Sequence, residues 1–281
     1  MKMWNKILLI EDFSALGGIS MTTALSVFNA LGIRFASIPT QLLSTQTEGF
    51  GTPHTLKLLA FLKRTLEHWK EIDETDFSTA LVGYVGSAHS CTLIRQQLDK
   101  CKPRNVIIDP AMADNGQLYP SLKQGYISSV KKLGAQATIL TPNTTELSLL
   151  SGASWDSDPS DTDILQAMRK ISAGYERKPK VVVTDLRRSG YIYCCWKQDG
   201  QLKMYGKSLV RGHFYGAGDL FAAALTGFIH LNYPLESAIK NAFDATYIAI
   251  LETSNEDPVE YKYGLNLKSS LAFLTQADTS H

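Results

Sequence analysis

Gly216-Ala217-Gly218-Asp219, followed by the apolar run 220–225, reads as a glycine-rich turn opening a helix with an acid at its start. Two glycines let the backbone turn tightly and approach a ligand. The first free N–H groups of the helix point outward and favour negative charge, which makes an anion site. Asp219 at its edge can take a proton from a hydroxyl that attacks a phosphate. The turn therefore carries both parts of a phosphoryl transfer, donors for the moving charge and a base beside them. A routine helix cap is the bland reading of the same four residues.

Working outward, short apolar runs suited to buried strands occur at 6–10, 35–42, 80–85, 105–108, 137–140 and 180–184. Helical patterns cover 20–31, 54–72 and 91–101, and Gly32 stands where a C-terminal cap is expected. Residues 191–196 and 202–209 read as a hairpin around Asp199-Gly200. Helices over 219–231 and 235–253 follow. Strands alternating with helices predict an α/β fold, with a mostly parallel central sheet and helices on both faces.

At 281 residues the chain fits one large α/β domain, and no linker or repeat divides it. A single domain is expected over 1–281, with 276–281 a frayed tail. The formal charge of +1 calls for neither nucleic acid nor an anionic membrane as partner. No apolar stretch reaches the roughly 18 residues of a bilayer span. The N-terminus runs into the first strand without a signal-peptide pattern, so a cytoplasmic location is expected. None of Cys91, Cys101, Cys194 and Cys195 forms a CxxC pair. Buried, reduced thiols are expected rather than a zinc site, with Cys194 and Cys195 on opposite faces of their strand.

In open α/β sheets ligands bind beyond the carboxyl ends of the strands. Here those ends are polar: Asp109, with Asp114 five residues on; Thr141 and Asn143, with Glu146 opening the next helix; and Thr184. Carboxylates suit a hydrated Mg²⁺ bridging to phosphates, so Asp109 and Glu146 are candidate metal ligands. Thr141, Asn143 and Thr184 are candidate phosphate contacts. Each has a bland alternative: a turn at Asp109-Pro110, a capping box over Asn143 to Glu146, an ordinary strand end at Thr184.

Taken together, Gly83-Tyr-Val-Gly-Ser87, Asp109-Pro-Ala-Met-Ala-Asp114, Leu140-Thr-Pro-Asn-Thr-Thr-Glu146, Val183-Thr184 and Gly216-Ala-Gly-Asp-Leu-Phe221 resemble the ribokinase-like superfamily. Within it the vitamin B6 kinase branch fits best, with Gly116 and Tyr119 in support. The resemblance implies a three-layer α/β/α fold and ATP-dependent phosphorylation of a hydroxymethyl group on a pyridine ring. Asp219 matches the family's base, and the amides of Gly216, Ala217 and Gly218 its anion hole. Glu146 matches an acid that places Mg²⁺ through water. Asp109 and Asp114 match acids near the nucleotide phosphates that also serve a monovalent cation, K⁺ or Na⁺. Thr141, Asn143 and Thr184 match nucleotide contacts. Residues after Arg211 and those at 241–248 fall near the adenine. Members are commonly homodimers, and the partner is a small vitamer.

On the substrate side Asp12 and Ser14, with Gly17-Gly18, are similar to the opening of hydroxymethylpyrimidine kinases and of the B6 kinases like them. Thr47 is the best match in the Ser44–Glu48 element, and Tyr84 is the expected ring contact. Asp12 is expected to bond to the ring nitrogen or phenolic hydroxyl; a cap or turn is its bland role, and core packing is that of Tyr84. His213 beside the glycine turn fits a lid or nucleotide neighbour better than a second base, and a surface histidine is its bland reading. Two rival functions stand: a hydroxymethylpyrimidine kinase of thiamine synthesis, and a non-catalytic vitamin-binding protein on the same fold. Neither a GxGxxG after the first strand nor a Walker loop occurs.

Overall fold

A computed structural model describes residues 6–72, 76–120, 122–155 and 158–277. The first half runs β1 (Ile7–Ser14), α1 (Met21–Ala30), β2 (Phe35–Leu43), β3 (Thr55–Lys57), α2 (Leu59–His68), β4 (Thr79–Val82), α3 (Ala88–Cys101) and β5 (Asn105–Ile108). A small hairpin of β6 (Ala113–Asp114) and β7 (Gln117–Leu118) follows, then α4 (Gly125–Gly134), β8 (Ile139–Leu140), α5 (Thr144–Ser151) and α6 (Asp161–Gly174). The last part holds β9 (Lys180–Arg188), β10 (Tyr191–Gln198), β11 (Gln201–Ser208), α7 (Ala217–His230), α8 (Leu235–Thr253) and α9 (Lys268–Ala277).

Among the described residues one sheet has the order β11-β10-β9-β8-β5-β4-β1-β2-β3. Its middle, from β9 to β2, is parallel; β3 on one side and β10 and β11 on the other pair antiparallel. Alternate residues feed two cores. Leu8, Ile10, Val82, Val106, Ile108 and Val183 pack against α2 to α6. Ile7, Leu9, Leu81, Ile107 and Val182 pack against α1, α7, α8 and α9. The three layers and the mostly parallel sheet are as expected. Cys194 and Cys195 join opposite cores, as strand alternation demands. All four thiols are free, and Cys101 is only half-buried.

Local differences have physical causes. The helix expected over 54–72 begins only at Leu59, because Thr55–Lys57 pairs antiparallel with Gln41–Leu43 at the sheet edge. β1 runs four residues past Ile10, carrying Glu11 and Asp12 to the sheet's polar end. β9 does not stop at Thr184; it continues to Arg188 by pairing with β10. Helices α4, α6 and α9 and the β6–β7 hairpin were not anticipated. Gln276 and Ala277 belong to α9 rather than to a frayed tail, and 278–281 lie outside the described residues. Among the described residues no helix is long and apolar enough to cross a membrane.

Candidate active site

The carboxyl ends of the parallel strands open into one cleft. Its walls include Asp12, Thr47, Tyr84, Asp109, Asp114, Thr141, Asn143, Glu146, Thr184 and the turn Gly216, Ala217, Gly218 and Asp219. Of the candidate catalytic, nucleotide-binding and substrate-binding residues, Ser14 does not reach it. Ser14 is buried opposite Leu43. At about 3.3 Å per residue it lies roughly 7 Å along β1 beyond Asp12, past the cleft.

The glycine turn has the form an anion site needs. Gly216 adopts φ 84° and starts α7 without a side-chain cap. The first helical bond runs from the Leu220 N–H to the Gly216 carbonyl at 3.0 Å, so the amides of Ala217, Gly218 and Asp219 precede the ladder. Asp219 does not cap its own helix. Its Oδ2 accepts the backbone N–H of Ser20 at 2.8 Å, with Ser20 Oγ at 3.5 Å. The routine-cap reading therefore gives way. From the other wall, Asp109 Oδ2 lies 3.7 Å from where a Cβ on Gly218 would stand. Asp109 and the glycine turn thus face each other across the cleft.

At Glu146 the bland and functional readings coincide. Asn143 Oδ1 accepts the Glu146 N–H at 2.8 Å and Glu146 Oε2 accepts the Asn143 N–H at 3.0 Å, a complete capping box. Glu146 Oε1 accepts the Met112 N–H at 2.9 Å and the Ala113 N–H at 3.4 Å. The carboxylate ties α5 to the chain leaving β5 while lining the cleft. Asp114 is partly exposed, and its oxygens take the N–H and Nδ2 of Asn115 at 2.8 and 3.0 Å. Asn143 and Thr184 meet in a parallel bridge where β8 and β9 part.

Burial dominates the electrostatics. It pushes Asp12 from 3.8 up to about 7, against a hydrogen bond from the Ser20 side chain and reinforced by the charge of Asp219. Burial likewise takes Glu146 up to about 7, opposed by its three backbone donors. Asp109 is raised by burial and then by the charges of Glu146 and Asp219. Asp219 is raised by burial, with the Ser20 bonds holding it down. Glu11 was not anticipated. It is buried, its Oε1 2.5 Å from where a Cβ on Gly83 would stand, so any side chain there would displace the Glu11 carboxyl. Burial, and then the charges of Asp219, Asp12 and Asp109, raise its pKa well above the ordinary glutamate range.

Among the described residues no three His, Cys, Asp or Glu side chains come together as a ready metal cage. Asp109 and Glu146 nonetheless form an all-oxygen pair on an open cleft, with Thr141 Oγ1 buried and unpartnered in the same wall. That donor set fits Mg²⁺, which keeps several of its waters.

Asp12, Thr47 and Tyr84, expected on the substrate side, all line the cleft. Tyr84 is 8% exposed and lies 6.3 Å, centroid to centroid, from Tyr119. Gln46 anchors the Thr47 loop: its Oε1 accepts the Glu48 N–H at 2.8 Å, and its Nε2 donates to the Lys262 carbonyl at 3.2 Å. At the mouth His213 Nε2 meets Glu48 Oε2 at 3.1 Å, a contact that raises the His213 pKa. His213 is thus a bridge between loops rather than a lone surface histidine. The far end is apolar, with Ile192, Leu209, Val210, Phe243, Tyr247 and Ile250. The cleft wall also takes in residues from the two segments expected near the adenine: Gly212, His213, Phe214 and Tyr215 after Arg211, and Phe243, Thr246 and Tyr247 from 241–248. Ser20, Gln46 and Glu48 were also missed; the paired glycines at 17–18 signalled a turn but not its contact with Asp219.

The chain matches the phosphomethylpyrimidine kinase family over residues 15–262. It is 34% identical to pyridoxal kinase from Lactobacillus plantarum, whose crystal structure superposes with a TM-score of 0.91 over 99% of both chains. It is 25% identical to the hydroxymethylpyrimidine/phosphomethylpyrimidine kinase of Haemophilus influenzae, over 89% of this chain and 93% of that one. It is 28% identical to the pyridoxine/pyridoxal/pyridoxamine kinase of Bordetella avium, over 80% of this chain and 77% of that one. Fold, cleft and sequence agree on the ribokinase-like vitamin kinases, and the chain belongs to their phosphomethylpyrimidine kinase family.

Proposed function

We propose that this chain transfers the terminal phosphoryl group of ATP to the 5′-hydroxymethyl group of a vitamin B6 vitamer: pyridoxal, pyridoxine or pyridoxamine. The observation that carries the reading is the uncapped 216–219 turn, whose acid is held by Ser20 rather than by its own helix. Asp219 takes the hydroxymethyl proton as that oxygen bonds to phosphorus and the bond to the departing diphosphate oxygen breaks. The amides of Gly216, Ala217 and Gly218 receive the charge on the moving group. Asp12, whose Oδ1 is buried without a partner, bonds to the ring nitrogen or phenolic hydroxyl, and Thr47 and Tyr84 hold the ring. Thr141, Asn143 and Thr184 contact the nucleotide. Asp109 and Glu146 hold hydrated Mg²⁺, which supplies charge neutralisation on the phosphates. Asp109 and Asp114 are the candidates for a monovalent cation, K⁺ or Na⁺.

The higher identity to the Lactobacillus plantarum pyridoxal kinase favours B6 over the aminopyrimidine. Hydroxymethylpyrimidine phosphorylation is the second reading, favoured by the family match. The chain acts as a single cytoplasmic domain and pairs as a homodimer. Support for pairing is an exposed apolar row: Phe13 is registered with Leu42, and Leu42 with Leu56 at the β3 edge. The test is ADP production from Mg·ATP with the three vitamers and hydroxymethylpyrimidine, wild type beside Asp219→Asn. Turnover of a vitamer, lost in the variant, is expected. Turnover of hydroxymethylpyrimidine alone overturns the substrate, and no turnover at all leaves a binding protein.

A further inference from the structure

The glycine-rich turns at 17–18 and 216–218 pack on each other. Ile19 Cγ2 lies 2.9 Å from where a Cβ on Gly216 would stand, and Ser20 beside it meets Asp219. Ser20 is buried and takes φ 48°, ψ −122°. The Thr22 N–H closes on the Ile19 carbonyl at 3.2 Å, which makes Ser20 the first central residue of a type II′ turn. Glycine is the usual occupant of that position. Strained backbone persists only where its surroundings over-determine it. The determining contact here comes from the amide: the 2.8 Å N–H···Oδ2 bond joins residues 199 apart in sequence. The hydroxyl, at 3.5 Å, stands at the limit of a hydrogen bond.

We propose that Ser20 is a positioning residue for Asp219, acting through its backbone amide, aimed by the type II′ turn, rather than through its hydroxyl. Fixing Oδ2 leaves Oδ1 as the oxygen that receives the substrate proton. A backbone N–H on a carboxylate also favours its ionised form, the form a base must hold. This deepens the kinase reading and rests on it.

Two substitutions separate amide from hydroxyl. Ser20→Gly deletes the hydroxyl and suits the positive φ. Ser20→Thr keeps the hydroxyl, but its branched Cβ resists that backbone. The expected result is that Ser20→Thr lowers kcat about tenfold or more, as for loss of a charge-assisted bond. Its KM for ATP should stay within about twofold, and the acidic limb of its kcat profile should move to higher pH. Ser20→Gly should lower kcat by only about threefold, with the limb moving less. A second readout needs no turnover: ¹³C titration of the Asp219 carboxyl, assigned by its loss in Asp219→Asn. Its apparent pKa should rise more in the threonine variant than in the glycine variant. Wild-type kinetics and titration in Ser20→Thr, or a fall in Ser20→Gly as deep as in Ser20→Thr, overturns the proposal. A wild-type protein that phosphorylates none of the four alcohols refutes the kinase reading instead, and the titration still decides whether the amide holds Asp219.

Discussion

A carboxylate can serve as a base only while ionised, and burial works against that at Asp219. The Ser20 bonds offset the burial, so kcat should fall as pH drops through the Asp219 pKa, which lies above the usual aspartate range. Asp219→Asn should lower kcat by about 10²–10⁴, while nucleotide binding by calorimetry stays near wild type. Undiminished turnover in that variant would remove the base from the mechanism. Asp219 was legible because an acid behind two glycines at a helix start is a local pattern. Asp109 and Glu146 were legible from local pattern too, Asp109 following directly on the buried strand β5 and Glu146 standing three residues after Asn143 at a helix start. Ser14 stands outside the lining of the cleft because it lies two residues of strand beyond Asp12. Ser20 could not be read at all: its partner is distant in sequence, and its strained backbone leaves no mark in residue type.

At the scale of elements, the entry to α7 separates shape from chemistry. An alanine at Gly216 would meet Ile19 Cγ2 at 2.9 Å at a φ of 84°. At Gly218 a Cβ finds nothing nearer than Asp109 Oδ2 at 3.7 Å, an ordinary contact. Gly216→Ala should therefore lose about 1 kcal/mol or more of stability. Gly218→Ala should melt near wild type, yet both should lose turnover because both disturb the anion turn. Equal melting temperatures for the two would contradict this geometry. The start of α5 poses the complementary case. Asn143→Ala removes one half of the capping box and should lower stability by about 1 kcal/mol in urea titration. It should also raise the KM for Mg·ATP, since Glu146 loses the helix start that orients it; a loss of stability without the change in KM would leave Asn143 as a cap alone. The box was visible as Asn143 and Glu146 three apart. The alternation of strand and helix was visible too, because each apolar run had length and period. Residues 54–57 misled: they continue a helical pattern, and only pairing with Gln41–Leu43 makes a strand of Thr55–Lys57. Tertiary pairing outweighs local propensity at such an edge.

Across the whole molecule two consequences reach beyond the cleft. The row Phe13, Leu42 and Leu56 is 37%, 37% and 55% exposed, and it crosses three registered strands at the sheet edge. A second copy covering it should appear as a dimer by light scattering, and Leu56→Lys should yield monomer; a wild-type monomer at micromolar concentration would exclude this pairing. The other consequence follows from the buried acids. Glu11, Asp12, Asp109, Glu146 and Asp219 are all raised in the folded state, first by burial. The folded protein therefore binds more protons than the unfolded chain between about pH 4, where free carboxyls titrate, and the raised values. Stability must then fall as pH rises through that window. The surface acids Asp163, Glu236 and Glu252 are lowered instead, so they change stability only below the ordinary carboxyl range. His213, raised by Glu48, adds to the decline as it loses its proton. The empty protein should accordingly melt higher at pH 5 than at pH 8. Asp12, moved from 3.8 to about 7, accounts for about 3 kcal/mol of that difference, from the roughly two pH units above 5 in which only the unfolded chain is ionised. Asp12→Asn keeps the side chain's shape and removes its ionisation, so it should raise the melting temperature more at pH 8 than at pH 5 and flatten the slope between them. A variant whose melting curve keeps the wild-type slope would show that Asp12 is ionised in the folded protein throughout, and would turn its role in the cleft from a neutral hydrogen-bonding group to a permanent anion.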